Sequence, residues 1–235
     1  MNSRWVKSEA ILDNNNNNNN NNKNYNGDND SNSQTASLAK PGGPLKPRLD
    51  AVQKKIQVQI ARLDQLHTML MLKDREALDK LTVSIKDNNA QHSTVLSSEL
   101  ASSRQTSRVV LLSYYALQKL TSNLSAASGF GDLVVILAPA MAVVKNLRSS
   151  LTPYVPEMEV ELGMVSELLS GILVDAAQVG SYLINFESAN EEAVHIIEEA
   201  AITAEQKIRE EYLPIPELPM MSIKFIQTGS GSVAG

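Results

Sequence analysis

Five basic residues near the start of the first predicted helix could bind an anionic surface. Arg48, Lys55 and Arg62 are spaced by seven, so they share one helical face, and Lys46 and Lys54 lie beside them. Near an anionic membrane leaflet each surface Lys or Arg contributes on the order of 1 kcal/mol, so five would give measurable, salt-sensitive binding. A solvated helix face, or the acidic helices of a neighbouring subunit, are alternative interpretations of the same residues.

Side chains suited to catalysis or metal binding are scarce. The chain has no cysteine and three histidines, His67, His92 and His195, which lie far apart on predicted helices. No Asp or Glu constellation has catalytic or ligand spacing, and the glycine-containing sequence at 129–131 lacks the Lys and Ser/Thr of a phosphate-binding loop. We therefore expect no enzyme activity, no cofactor, no metal site and no small-molecule substrate.

The amino-terminal residues contain one further candidate for membrane contact. Trp5 lies among apolar residues beside Arg4 and Lys7, and Trp favours the bilayer boundary; a disordered tail is the alternative. The unbroken asparagine tract Asn14 to Asn22 follows. Such a polar segment cannot bury enough apolar surface to offset its ordering entropy. Residues 1–39 are thus predicted to be a tail with a disordered, low-complexity linker.

Helices must position these residues. Apolar residues recur three and four apart from Leu49 to Leu70, and the stripe resumes from Leu78 to Ile85 after a polar break. A turn is predicted at Asp87-Asn88-Asn89, followed by a second apolar pattern from Val95 to Leu124. Two long helices with a short polar connection pack as an antiparallel hairpin. We expect this basic hairpin to occupy residues 40–127.

Three smaller helices are predicted in residues 128–212. The first is apolar on nearly all sides from Leu133 to Leu147, the second has an apolar face from Met158 to Val179, and the last opens at a capping-box pattern of Ser188 and Glu191. The longest apolar run is about a dozen residues, against the roughly 20 needed to span a bilayer. No transmembrane segment is predicted.

The distribution of charge divides the chain into a basic and an acidic half. Residues 40–120 contain 13 Lys or Arg and 7 Asp or Glu, whereas residues 121–235 contain 5 and 15. This asymmetry suggests an anionic partner for the first half and an internal partner in the second. The predicted fold is all-α, with three smaller helices packed on a long antiparallel hairpin.

Four stretches resemble the CdvB family of archaeal ESCRT-III proteins. They are PLKPRLDAVQKKIQVQIARLDQL from Pro44, GDLVVILAPAMAVVKNLRSSL from Gly131, ELGMVSELLSGILVDA from Glu161 and EEAVHIIEEAAITAEQKIREEYLP from Glu191. The resemblance covers about residues 44–213, and the stretch from Gly131 is its most specific part.

The resemblance implies a non-enzymatic, cytoplasmic protein that lies on the inner face of the cell membrane at the division site. In this family a closed monomer opens, and its hairpin forms membrane-bound filaments with other CdvB-type subunits. The filaments constrict and sever the division neck, and an AAA ATPase of the CdvC type disassembles them.

A proline-rich segment resembles the motif that binds the MIT domain of that ATPase. Preformed polyproline geometry would lower the ordering cost of binding in a helical groove. This tail is predicted to begin at residue 213 and to continue to residue 235. The candidate contact residues are Leu213, Pro214, Ile215, Pro216, Glu217, Leu218 and Pro219.

The ending from Met220 to Gly235 departs from the longer CdvB members, which continue into a winged-helix-like module that contacts the partner CdvA. By this comparison the chain resembles a short paralog. The resemblance therefore does not extend to CdvA binding.

Two other functions would also use a basic hairpin. One is a nucleic-acid-binding helical protein, although Tyr114 and Tyr115 are the only aromatic residues in that half of the sequence and offer little base stacking. The other is a structural coiled-coil scaffold. Binding to anionic liposomes and to DNA distinguishes the three functions.

Overall fold

A computed structural model of the chain describes residues 44–127, 130–180 and 185–217, and the regular elements in these ranges are all helices. The predictions for residues 1–39 and for the end of the chain from Leu218 fall outside these residues. The predicted all-α fold is confirmed. The helices are α1 (Leu45–Lys86), α2 (Ala90–Ala126), α3 (Phe130–Leu151), α4 (Glu157–Gly180) and α5 (Phe186–Glu211).

Helices α1 and α2 form the predicted antiparallel hairpin. The turn lies at the predicted residues, where Asn88 has φ 53° and Asn89 caps α2 by accepting a hydrogen bond from the His92 backbone N–H at 3.1 Å. Side chains at equal distances from Asn89 meet across the hairpin. Gln53 donates to Ser125 near the far end, at 3.4 Å. The pairing is therefore in register over most of the length of the two helices.

The main core lies where α3 and α4 pack on the end of the hairpin that holds the start of α1. Helix α4 runs along α1, while α3 contacts α2, α4 and α5. Burial of aliphatic side chains from all these helices drives the packing, since each removes apolar surface from water. Examples with less than 2% exposure are Ile56, Leu117, Leu147 and Leu169.

Helix α5 packs on α2 and α3 through a narrow face of small residues. Its first N–H groups are capped by Asn185, whose side chain accepts hydrogen bonds from Glu187 and Ser188 at 3.1 and 3.2 Å. The predicted capping box at Ser188 is therefore wrong, because the helix has already begun at Phe186. The buried residues of this helix are Ala189, Ala193, Ile196, Ala200, Ala204 and Ile208.

One helix in the described residues, over Asp132–Leu151, is long and apolar enough to cross a membrane by length and composition alone. It is longer than the apolar run on which the prediction of no transmembrane segment was based. Leu137, Val144 and Leu147 of this helix are fully buried against the rest of the fold. A core helix has the same composition.

Candidate functional site

Arg48 is buried where α1 meets α4. Only 2% of its side chain is exposed, and its guanidinium donates a hydrogen bond to the carboxylate of Asp175. Gly171 leaves room for the guanidinium, because a Cβ atom at that position would lie 2.9 Å from it. A buried charge requires a partner. The pair therefore fixes the end of α4 against the start of α1.

A second ion pair joins the same two helices, between Arg62 and Glu161 at 3.6 Å. Gln59 also donates to Glu161, at 3.5 Å. Helices α1 and α4 run in opposite directions, because Arg48 near the start of α1 pairs with Asp175 near the end of α4. The second pair joins Arg62, further along α1, to Glu161 near the start of α4. The basic stripe of α1 thus faces carboxylates of α4 in this conformation.

Helix α5 pairs with α2 in the same way. Arg108 contacts Glu205, and Lys119 contacts Glu199, each at 3.0 Å. The hydrogen bond from Lys119 lowers the pKa of Glu199. Exposed ion pairs of this kind add little to the stability of the fold. Their main effect is to favour one orientation of α5 on α2. Carboxylates of α4 and α5 thus pair with four cations of the hairpin: Arg48, Arg62, Arg108 and Lys119.

A buried polar cluster lies where the end of α5 reaches the hairpin. Arg104 makes two hydrogen bonds to Asp74, at 2.6 and 2.9 Å, inside the hairpin. The ring of Tyr212 lies 5.5 Å from the Arg104 guanidinium carbon, a cation–π geometry. Asp74 lies in the polar break predicted in the first apolar stripe. This break is therefore a buried ion pair that also contacts the end of α5.

His67 adds a titratable group to this cluster. It is 7% exposed, and its Nε2 lies 3.2 Å from Glu211 without hydrogen-bond alignment. Burial lowers the pKa of His67, and this effect outweighs the opposing effects of Glu211 and Asp64. The neutral imidazole is consequently the form that the closed arrangement favours.

The predicted membrane-binding residues differ in their exposure. Lys46 and Lys54 are exposed, and Lys55 is half-buried. Arg62 is half exposed and paired with Glu161. Arg48 requires a correction: it does not lie on a solvent-facing stripe, because α4 covers it. Membrane contact by these residues stays a prediction.

Comparison with known proteins finds cell-division proteins that are similar to this chain. The chain is 28% identical to Cell division protein B1 of Sulfolobus acidocaldarius over 191 residues, which are 81% of this chain and 88% of that protein. It is 24% identical to Cell division protein B of the same organism over 175 residues, 74% of this chain and 66% of that protein. These two relatives support placing the chain with the CdvB family of ESCRT-III proteins. No protein-family profile matches it, and no solved structure does.

The proline-rich segment of this CdvB-type chain follows α5 directly. Leu213 is 64% exposed, whereas Ile215 packs on a hairpin cluster that includes Leu81 and Leu100. Residues 213–217 therefore lie along the hairpin with some side chains outward and others against it. Leu218 and Pro219 fall outside the described residues.

Within residues 44–127, 130–180 and 185–217, no group of three or more His, Cys, Asp or Glu is placed to hold a metal ion. His92 lies at the start of α2, and His195 is on the exposed side of α5, 3.7 Å from Glu199. With His67 in the buried cluster, the three histidines are well separated along the fold.

Sequence reasoning missed the buried partners of Asp74 and His67. A usable signal exists for the first. Asp74 and Arg104 are equidistant from Asn89, as are Gln53 and Ser125. Matching residues that lie the same number of positions before and after the predicted turn would have placed Asp74 opposite Arg104. No comparable local signal exists for His67, since Glu211 comes from a distant helix.

Proposed function

We propose that this CdvB-type chain acts in archaeal cell division as a non-enzymatic, cytoplasmic subunit on the inner face of the membrane at the division site. It polymerises with itself or with other CdvB-type subunits on an anionic membrane surface. The polymer constricts and severs the division neck, and a CdvC-type AAA ATPase disassembles it.

The observation that supports this proposal best is the pairing of the basic hairpin with the acidic helices. Arg48 and Arg62 face α4, and Arg108 and Lys119 face α5. Release of these helices would uncover hairpin cations for lipid headgroups. It would also free carboxylates for the hairpin of a second copy. Because the pairs between subunits would resemble those within the chain, little electrostatic energy would be lost on exchange.

Vesicle co-sedimentation tests the membrane step. The full chain is expected to sediment with vesicles containing anionic lipid and to remain in solution with neutral ones. Lys46→Glu combined with Lys54→Glu should reduce binding by about thirtyfold or more, since each cation contributes on the order of 1 kcal/mol near an anionic surface. Lys145→Glu combined with Arg209→Glu is the control, because it makes the same charge change at exposed positions of α3 and α5.

Two outcomes would contradict the membrane proposal. One is equal loss of binding in both double variants, which would reflect net charge alone. The other is binding to duplex DNA without binding to anionic vesicles. Tyr114 and Tyr115 stack edge to face on one another, with ring centroids 5.1 Å apart, and are partly buried. They are poorly placed to stack on bases.

The ATPase-docking step has a separate test. Replacement of Pro216 and Leu218 by alanine should weaken binding to the MIT domain of a CdvC-type ATPase in calorimetry. Glu159→Ala, on the surface of α4, is the control. An unchanged affinity would eliminate Leu213 to Pro219 as the docking segment.

A further inference from the structure

A cavity of about 300 Å³ lies between α2, α3 and the start of α5. Leu120, Val134, Pro139 and Ile196 supply much of its apolar lining. Val135 lines it from the surface and is 72% exposed. The cavity is therefore an apolar slot that is accessible from solvent.

Pro139 adds a backbone acceptor to a slot that the polar side chains of Asn123, Asn185 and Ser188 also line. Proline has no backbone N–H, so the carbonyl of Val135 loses the hydrogen bond that residue 139 would otherwise donate in a helix. Val135 and Pro139 both line the cavity, one turn apart, so the side of the helix that carries this carbonyl faces the slot. The slot thus offers a hydrogen-bond acceptor in apolar surroundings.

We propose that this cavity binds the indole ring of Trp5 from the amino-terminal segment of the same chain. Indole combines a large apolar surface with a single donor and no acceptor, which matches a mainly apolar slot that holds a backbone carbonyl acceptor and polar side chains. Trp5 is the only tryptophan in the chain, and Arg4 and Lys7 flank it. Glu192 lines the cavity.

Charge at the rim complements these two cations. Glu191 and Glu192 are both exposed at the start of α5. Within the described residues neither takes part in an ion pair. Arg4 and Lys7 would therefore meet carboxylates when the indole ring is in the slot.

The amino-terminal segment can reach the cavity. Helix α1 starts at Leu45, at the same end of the hairpin as the cavity, because Gln53 of α1 bonds Ser125 of α2, and Leu120 lines the cavity. Residues 13–43 connect Trp5 and its neighbours to α1. A coil of 31 residues spans about 30 Å on average. The tether keeps the local concentration of the segment in the millimolar range.

Fluorescence of the full-length chain tests the proposal, because all tryptophan emission comes from Trp5. The emission is expected to be blue-shifted and shielded from acrylamide, and both properties should be independent of protein concentration. Val135→Asp, at the mouth of the slot, should move the emission to that of exposed tryptophan. Val160→Asp is the matched control, since Val160 is 68% exposed on α4, outside the cavity.

A second variant tests the carbonyl. Pro139→Ala restores the helical N–H and improves helix propensity, so the fold should be kept. Loss of the indole hydrogen bond is expected to lower the bound-to-free ratio roughly fivefold. An unchanged ratio would overturn the role of the carbonyl.

Three results would overturn the proposal as a whole. The first is solvent-exposed Trp5 in the unaltered chain. The second is equal emission from the Val135→Asp and Val160→Asp variants. The third is a blue shift that disappears on dilution, which would assign the occupant to a second copy.

Discussion

Gly171 is the residue at which the smallest change should disturb the contact between α1 and α4. A methyl group there would lie 2.9 Å from the Arg48 guanidinium, which is buried and cannot move without weakening its pair with Asp175. We expect Gly171→Ala to reduce the free energy of unfolding by about 1–3 kcal/mol, the usual cost of overpacking. Urea denaturation followed by circular dichroism measures the change.

Gly163→Ala is the control for this prediction. Gly163 lies on the same helix, and its added Cβ would come no closer than 3.8 Å to Arg148, which is ordinary contact. Because alanine favours helix, this variant should be neutral or stabilised by up to about 1 kcal/mol. Equal effects of the two substitutions would show that space for Arg48 is not what glycine provides at position 171.

His67 makes the stability of the closed fold depend on pH. Burial lowers the pKa of His67 from its ordinary value of 6.5, so the unfolded chain binds the proton more readily than the folded one. Stability is therefore full above about pH 6.5 and decreases as the pH falls through the lowered pKa. Unfolding free energies between about pH 8 and 5 should show this decrease, and His67→Gln should remove it.

His195→Gln is the matched control, because this residue is 64% exposed on α5. It should leave the pH dependence of the native chain unchanged. If His67→Gln retained the full pH dependence, the titration would have to belong to other groups.

At the scale of the helices, two residues near the start of α5 could act as its N-terminal cap, Asn185 and Ser188. Asn185 accepts two backbone N–H bonds, whereas the side chain of Ser188 lies already inside the helix. We expect Asn185→Ala to cost about 1 kcal/mol and Ser188→Ala to have little effect. Chemical denaturation of both variants measures the ranking. The reverse order would restore the capping-box interpretation.

The sequence predicts the helices well because the apolar period is a local property. It predicts the hairpin and its turn at Asp87 to Asn89 for the same reason. Arg48 shows what the sequence does not predict. The spacing of seven places Arg48 on the same face of α1 as Lys55 and Arg62. This spacing does not indicate which other helix packs on that face. The pairing with Asp175 depends on contact between residues 127 positions apart.

The candidate site was predictable only in outline. Counting charges indicated an internal partner for the basic half, and the ion pairs with α4 and α5 agree with it. The buried pair of Asp74 and Arg104 interrupts the apolar stripe of α1. From the sequence pattern alone, the polar residues at this interruption could be interpreted as exposed to solvent. Tyr212 and Ile215 contact the hairpin through tertiary packing, which short-range sequence patterns do not encode.

For the whole molecule, the buried pair of Arg48 and Asp175 should control the balance between the closed chain and assembly. Asp175→Arg places two buried guanidinium groups together, and breaking a buried pair in this way costs about 3–5 kcal/mol. Helix α4 should then leave α1 and expose Arg48 and Arg62 to other subunits. We expect light scattering to report polymers at concentrations where the unaltered chain is monomeric.

Exchanging the two charged residues tests whether the pairing of their charges is what restrains assembly. Combining Asp175→Arg with Arg48→Asp restores opposite charges at the same contact, and it should recover much of the lost stability and suppress the polymers. If the Asp175→Arg chain stayed a compact monomer by small-angle scattering, the contact between α1 and α4 would not restrain assembly. If the double variant polymerised as strongly as the single one, the pairing of charges would not be the cause.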